Sequence, residues 1–224
     1  MAQSSEPSLQ SSPPPAAPLA RRAGAIALVA GLFVVLTDLG RAPLLDDRLA
    51  MAVHPILMAV NAAYFFAFVG LMIALVAVHE RLGSALGRFG LVAFLFAVLG
   101  TMMQGGNMWF DGFAAPWLAE VLPQAFTAPK TPILQIGGLL SYVLVALGWA
   151  LYGLAMLRAG TVPVGSALAV VVGGLFAYNS GLTPYGTPLG LAVAALGGWL
   201  IVHDRREARA RTQDSRTQAQ DSRT

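Results

Sequence analysis

The sequence predicts an all-α fold, a polytopic transmembrane bundle of about six helices with a short interfacial helix between the third and fourth. Three observations predict it. Across 224 residues, 56% of the side chains are hydrophobic and only 11% are charged, a balance outside that of soluble domains. Mean hydropathy is positive, at +0.66. The apolar residues also fall in long runs broken by short clusters of Arg, Pro and Gly, the pattern of segments cut to the thickness of a bilayer.

Residues 1–20 are rich in Ser, Pro and Gln, with Pro13, Pro14 and Pro15 in a row. Nothing there repays the entropy of folding, so a disordered tail is expected. Arg21 and Arg22 precede the first apolar run. Their neighbours Leu19, Ala20, Ala23 and Gly24 do not match a twin-arginine export signal, and the Ala50/Ala52 pair lies too far downstream for a normal cleavage site. A retained first helix is therefore expected. A hydrocarbon core about 30 Å thick takes roughly 20 helical residues, because backbone groups in lipid must be satisfied within the segment. Spans are expected near 22–39, 52–78, 89–110, 133–157, 163–180 and 186–203. Between the third and fourth, residues 112–131 are less apolar, with Pro116, Pro123, Pro129, Glu120 and Lys130. The stretch 116–122 reads as the interfacial helix, held at the membrane surface by Trp117. The chain thus divides into the tail, a transmembrane domain over 21–204, and a polar, basic cytoplasmic tail over 205–224.

Lys and Arg set the orientation. With the N-terminus inside, the inner segments hold Arg21, Arg22, Arg81, Arg88, Arg158, Arg205, Arg206, Arg209, Arg211, Arg216 and Arg223, and the outer loops hold Arg41, Arg48 and Lys130. That bias predicts both termini in the cytoplasm, with the chain in the cell membrane. The basic pI of 9.7 is explained by this topology, and no nucleic-acid partner is expected.

Small residues recur every fourth position at Gly165, Ala169, Gly173 and Ala177, and again at Gly186, Gly190, Ala194 and Gly198. Close backbone approach drives association where lipid supplies no hydrophobic push. A tight hairpin of the last two helices is expected, and helix-mediated self-association is compatible with the same stripes. The tetrapeptide Gly-Ser-Ala-Leu at 83–86 returns at 165–168, a short hint of duplication.

Polar residues inside the apolar runs gather in the expected outer half. Asp38, Asn61, Gln104, Asn107, Asp111 and Asn179 are the candidate site residues, and Asn61 and Gln104 are the deepest and most costly placements. Two readings stand open. Either these groups hydrogen-bond between helices, or they line an outward-facing polar cavity, with negative character from Asp38 and Asp111, that binds or passes a small solute. Gly105 and Gly106, just before Asn107, are also placed to break the third helix, as in many transporters.

Cysteine is absent, which excludes disulfides, thiolate metal sites, cysteine-held iron-sulfur clusters and c-type haem. His79 and His203 share an expected depth at cytoplasmic helix ends. Two such histidines are a haem-ligand pattern, but also that of solvated helix-end residues favoured by the dipole; His54 precedes Pro55 at an outer helix start. The sequence shows no H-E-x-x-H, no Gly-rich phosphate loop, and no base placed for Ser84, Ser141, Ser166 or Ser180. No cofactor, metal or catalytic residue is expected. The leading expectation is a non-enzymatic structural or accessory membrane protein. A small-solute transporter or sensor is the alternative, and a haem-binding electron-transfer protein the second alternative.

The strings Gln-Gly-Gly-Asn-Met-Trp-Phe-Asp-Gly-Phe-Ala-Ala-Pro-Trp-Leu-Ala-Glu-Val-Leu-Pro from Gln104, and Gly-Trp-Ala-Leu-Tyr-Gly-Leu-Ala-Met-Leu-Arg-Ala-Gly-Thr-Val-Pro from Gly148, resemble a group of small multi-pass membrane proteins of unknown function from actinobacteria. The resemblance spans roughly residues 50–203. It implies a membrane location and no particular chemistry.

Overall fold

The structure, a computed structural model, describes residues 18–42 and 47–221. Among them there is no strand. Helix α1 spans Pro18–Gly40, α2 Arg48–Val53, α3 Pro55–Trp109, α4 Ala115–Val121, α5 Pro132–Ala159, α6 Val164–Phe176 and α7 Thr187–Asp221. A π-helical turn, Phe110–Ala114, joins α3 to α4, and short 3-10 turns lie at Pro123–Phe126 and Ala177–Asn179.

The helix boundaries have local causes. Pro55 forces His54 into an extended backbone (φ −77°, ψ 115°), so α2 and α3 separate where the sequence reading has one span from residue 52. The His54 ring then accepts from the Leu57 N–H at 3.4 Å and caps α3. Gly87 takes φ 63° and ψ −161°, a left-handed backbone that a side chain resists, and divides α3 into arms over 55–86 and 88–109. Gly160, at φ 62°, ends α5.

Most of the expected N-terminal tail, residues 1–17, lies outside the described residues, and positions 18–20 already belong to α1. At the other end the helix does not stop at 204. The Ala, Arg, Glu and Gln of 205–221 are strong helix formers and extend α7 to Asp221.

The 55–86 arm is central, with Tyr64, Ala67, Phe68, Leu71, Ala74, Leu75 and Val78 all buried. α1, α7, α6 and α5 follow one another around the bundle, and α3 closes the circuit against α1 and α5. The last turns of α1 and the first of α7 meet the start of α3 at one end, called here the Asp38 end. The Gly87 turn lies at the other, where Arg81 of α3 pairs with Asp204 of α7 at 3.1 Å.

The last two helices do pack together, as expected, but the glycine stripe of α7 meets α1 and not α6. A Cβ on Gly190 would lie 2.8 Å from the Gly31 carbonyl oxygen, and one on Gly24 would lie 2.9 Å from that of Gly197. Only Gly173 approaches α7 from α6, 2.8 Å from the Leu189 Cα, while Gly165 and Gly198 face open space. Helical periodicity marks which face is small, but not which neighbour it meets.

Among the described residues, four segments are long and apolar enough to cross a membrane: Arg22–Gly40, Pro55–Val121, Pro132–Ala159 and Thr187–Ala210; Val164–Asn179 is a shorter apolar helix.

Candidate functional site

Among the described residues, the buried polar side chains of the Asp38 end gather in two knots. The first is built on Asp38, which the last turn of α1 carries inward until it is fully buried. Its Oδ2 accepts the backbone N–H and the hydroxyl of Thr187, both at 2.7 Å, and Oδ1 accepts from the Tyr64 hydroxyl at 3.4 Å. The Thr183 hydroxyl donates to the Asp38 carbonyl at 2.6 Å. Thr187 opens α7, so a carboxylate from α1 caps the positive end of another helix. Arg41, three residues on and 5% exposed, lies over the Tyr64 ring at 5.3 Å and donates weakly to the Ser180 carbonyl at 3.5 Å.

The second knot joins the 88–109 arm to α5. Asn107 donates to Gln104 Oε1 at 3.1 Å and to the Ser141 hydroxyl at 2.6 Å. Ser141 in turn donates to the Gly138 carbonyl at 2.7 Å. One turn deeper, the Trp149 indole donates to the Thr101 hydroxyl at 2.9 Å. The bonds from Asn107 to Ser141 and from Trp149 to Thr101 cross between helices, and Asn107 to Gln104 links two turns of one helix, which is how polar groups persist among apolar side chains.

Tyr142 stands between the knots. Its side chain adjoins Gln104 and lies within electrostatic reach of Arg41 and Asp111, and its hydroxyl comes so near Gly181 that a Cβ there would sit 2.6 Å away. Arg41 acts electrostatically on both Asp38 and Asp111.

Of the six residues predicted from sequence, Gln104 and Asn107 are brought together and Asp38 is held in the neighbouring knot. Asp111 is partly buried and within electrostatic range of Arg41. Asn61 is partly buried, with its Oδ1 unpartnered. Asn179 is exposed and lines a groove of about 200 Å³ with Tyr142, Tyr178, Gly181 and Leu182. Sequence reasoning missed Arg41, Tyr64, Ser141, Tyr142, Ser180 and Thr187. Arg41 carried a signal, since it follows Asp38 by three positions and so shares its helix face.

The two histidines at the Gly87 end face different surroundings. His79 stacks on Phe94, with ring centroids 4.0 Å apart, and its Nδ1 is 3.4 Å from the Tyr152 hydroxyl. His203 stacks on Trp199 at 4.9 Å and meets Glu207 at 3.0 Å. Among the described residues no group of three or more His, Cys, Asp or Glu is arranged to hold a metal.

No family model, no curated protein and no solved structure matches the chain.

Proposed function

We propose that this chain is an integral protein of the cell membrane that crosses the bilayer six times, with both termini cytoplasmic, and that its role is structural or accessory rather than catalytic. The apolar run Pro55–Val121 covers 67 residues, about 100 Å of helix at 1.5 Å per residue. That is far more than one crossing of a core about 30 Å thick, and Gly87 turns it back midway. Val164–Asn179 is short for a span, and slight thinning of the bilayer accommodates it. Lys and Arg crowd the Gly87 end and the C-terminal helix, in keeping with a cytoplasmic face. α4, with Trp117 exposed, then lies at the outer interface.

The observation that carries the structural role is the saturation of Asp38, whose two carboxylate oxygens are both taken up by helices α3 and α7. Beneath it Phe68, Leu71 and Leu75 are buried and apolar. An intramembrane acid of this kind ties helices together and opens no path for a solute. The test is flux. Proteoliposomes should hold erythritol as long as protein-free vesicles do, and release that is faster and dependent on the protein would make the chain a transporter.

A second reading, a receptor for a small solute at the outer face, is favoured by one observation: several buried polar atoms at the Asp38 end have no hydrogen-bond partner.

A further inference from the structure

Where a membrane helix leaves the hydrocarbon, charges that find no partner in the protein act on the lipids around it. Helix α7 opens at Thr187, held by Asp38. Along its axis Arg205 lies about 27 Å further on and Arg209 about 33 Å, at 1.5 Å per residue. They therefore stand on either side of the edge of a core about 30 Å thick. Trp199, stacked on His203 at 4.9 Å, marks the approach to that edge, as interfacial tryptophans do. Arg22 of α1 belongs to the same end: a Cβ on Gly24, two residues along, would lie 2.9 Å from Ile201 Cγ1, and Arg205 follows Ile201 by one turn.

The carboxylates of this stretch are already engaged. Asp204 pairs with Arg81 of α3 at 3.1 Å, and Glu207 lies 3.7 Å from Arg81 and 3.0 Å from His203. Arg205, Arg206 and Arg209 are exposed, and among the described residues no carboxylate pairs with them. Arg209 follows Arg205 by four positions and Arg206 by three, so the three guanidinium groups share one patch and repel one another. An anion settling among them relieves that repulsion and accepts paired N–H bonds from the guanidinium forks.

We propose that Arg205, Arg206 and Arg209, with Arg22 of α1 at the same end, form a docking surface for the headgroups of anionic phospholipids in the leaflet at the Gly87 end. Charge and depth argue together: the patch is positive and unneutralised, and it lies at the level of the lipid phosphates. A free phosphate meets the same charges but has no acyl chains to hold it at that depth. Headgroups bound there also steady the turn of α7 that carries Asp204 to Arg81. This inference rests on the membrane-spanning reading and not on which face is cytoplasmic.

Thermal unfolding of the purified full chain in a non-ionic detergent tests it, with dioleoylphosphatidylglycerol, dioleoylphosphatidylcholine or inorganic phosphate added at equal concentration. The anionic lipid should raise Tm by about 5 °C or more, and the choline lipid and inorganic phosphate by less than half as much. Sodium chloride at about 0.5 M should shrink the shift, because exposed charges are screened. The triple variant R205Q/R206Q/R209Q, which keeps good helix formers, should lose at least half of the anionic-lipid shift. Arg88→Gln with Arg158→Gln, at exposed positions of the same end, should keep most of it, and circular dichroism before heating confirms that both variants are folded. No shift with the anionic lipid, a salt-independent shift, or equal shifts in the parent and the triple variant would overturn the patch. Equal losses in the two variants would do the same, by showing a diffuse charge effect. A shift from inorganic phosphate as large as the lipid's would overturn the lipid as occupant. A chain that stays folded and monodisperse without detergent would instead overturn the membrane reading beneath the proposal.

Discussion

Asp38 caps α7 from α1: its Oδ2 holds both the N–H and the hydroxyl of Thr187 at 2.7 Å, 149 residues away in the chain. The N–H is shared with the Pro184 carbonyl at 3.1 Å, so the hydroxyl depends most on the carboxylate. Removing the acid should loosen α1 from α7. Asp38→Ala is expected to lower stability in detergent by about 1–2 kcal/mol, the scale of a lost cap at a helix terminus. Thr187→Val, which keeps the N–H, should cost about 0.6–1.7 kcal/mol, as interhelical bonds in membranes do. In the double variant the losses should be less than additive, because both substitutions break one contact. Full additivity in thermal or denaturant unfolding would show that the pair is not coupled.

The α1–α7 contact also rests on backbone proximity, and its glycines make a sharp comparison. Gly190→Leu places a side chain where the Gly31 carbonyl and Val35 already stand, and should cost about 1–3 kcal/mol through overpacking. Gly198→Leu, eight residues on along the same helix, meets nothing within 4 Å and should melt like the parent. Equal melting temperatures for the two variants would place both positions on the lipid-facing surface.

Length and composition made the long helices legible, because a bilayer imposes both and leaves runs of about 20 apolar residues visible without any partner. The turn at Gly87 and the cap at His54 were less so. Each depends on one residue whose backbone angle the sequence permits but does not require. The site was half legible. Asp38, Gln104 and Asn107 stand out as polar groups in apolar surroundings, and the structure holds all three between helices. Ser141, Ser180 and Thr187 did not, since a single small hydroxyl in an apolar run satisfies its own backbone as readily as a neighbour. Arg41 was read as a topology charge because sequence alone does not show a guanidinium buried against Tyr64. The partner of the α7 stripe was invisible for the reason that faces are periodic and neighbours are not.

Orientation yields a prediction that uses the whole chain. Reporter fusions after residues 45, 82, 120, 160, 184 and 210 should alternate out, in, out, in, out, in. The chain has no cysteine, so single cysteines at 120 and 184 serve as a second measure and should react with an impermeant maleimide on intact cells, while those at 82 and 160 should not. An external signal from position 210 would remove the six-span topology.

The last expectation concerns the histidines. Two imidazoles on facing helices would hold a haem only if both rings turned toward a shared space with a ring nitrogen free. His79 instead lies flat against Phe94 with Nδ1 at the Tyr152 hydroxyl, and His203 lies flat against Trp199 and pairs with Glu207. Freeing either ring breaks a stack and a polar contact, so cofactor binding would have to outweigh both. With no thiolate available, the purified protein should be colourless. His79→Ala should lower its stability by about 1–2 kcal/mol through the lost packing on Phe94 and the unpaired Tyr152 hydroxyl, with no change in the visible spectrum. A Soret band in the parent that vanished in His79→Ala or His203→Ala would replace the accessory role with electron transfer near the Gly87 end.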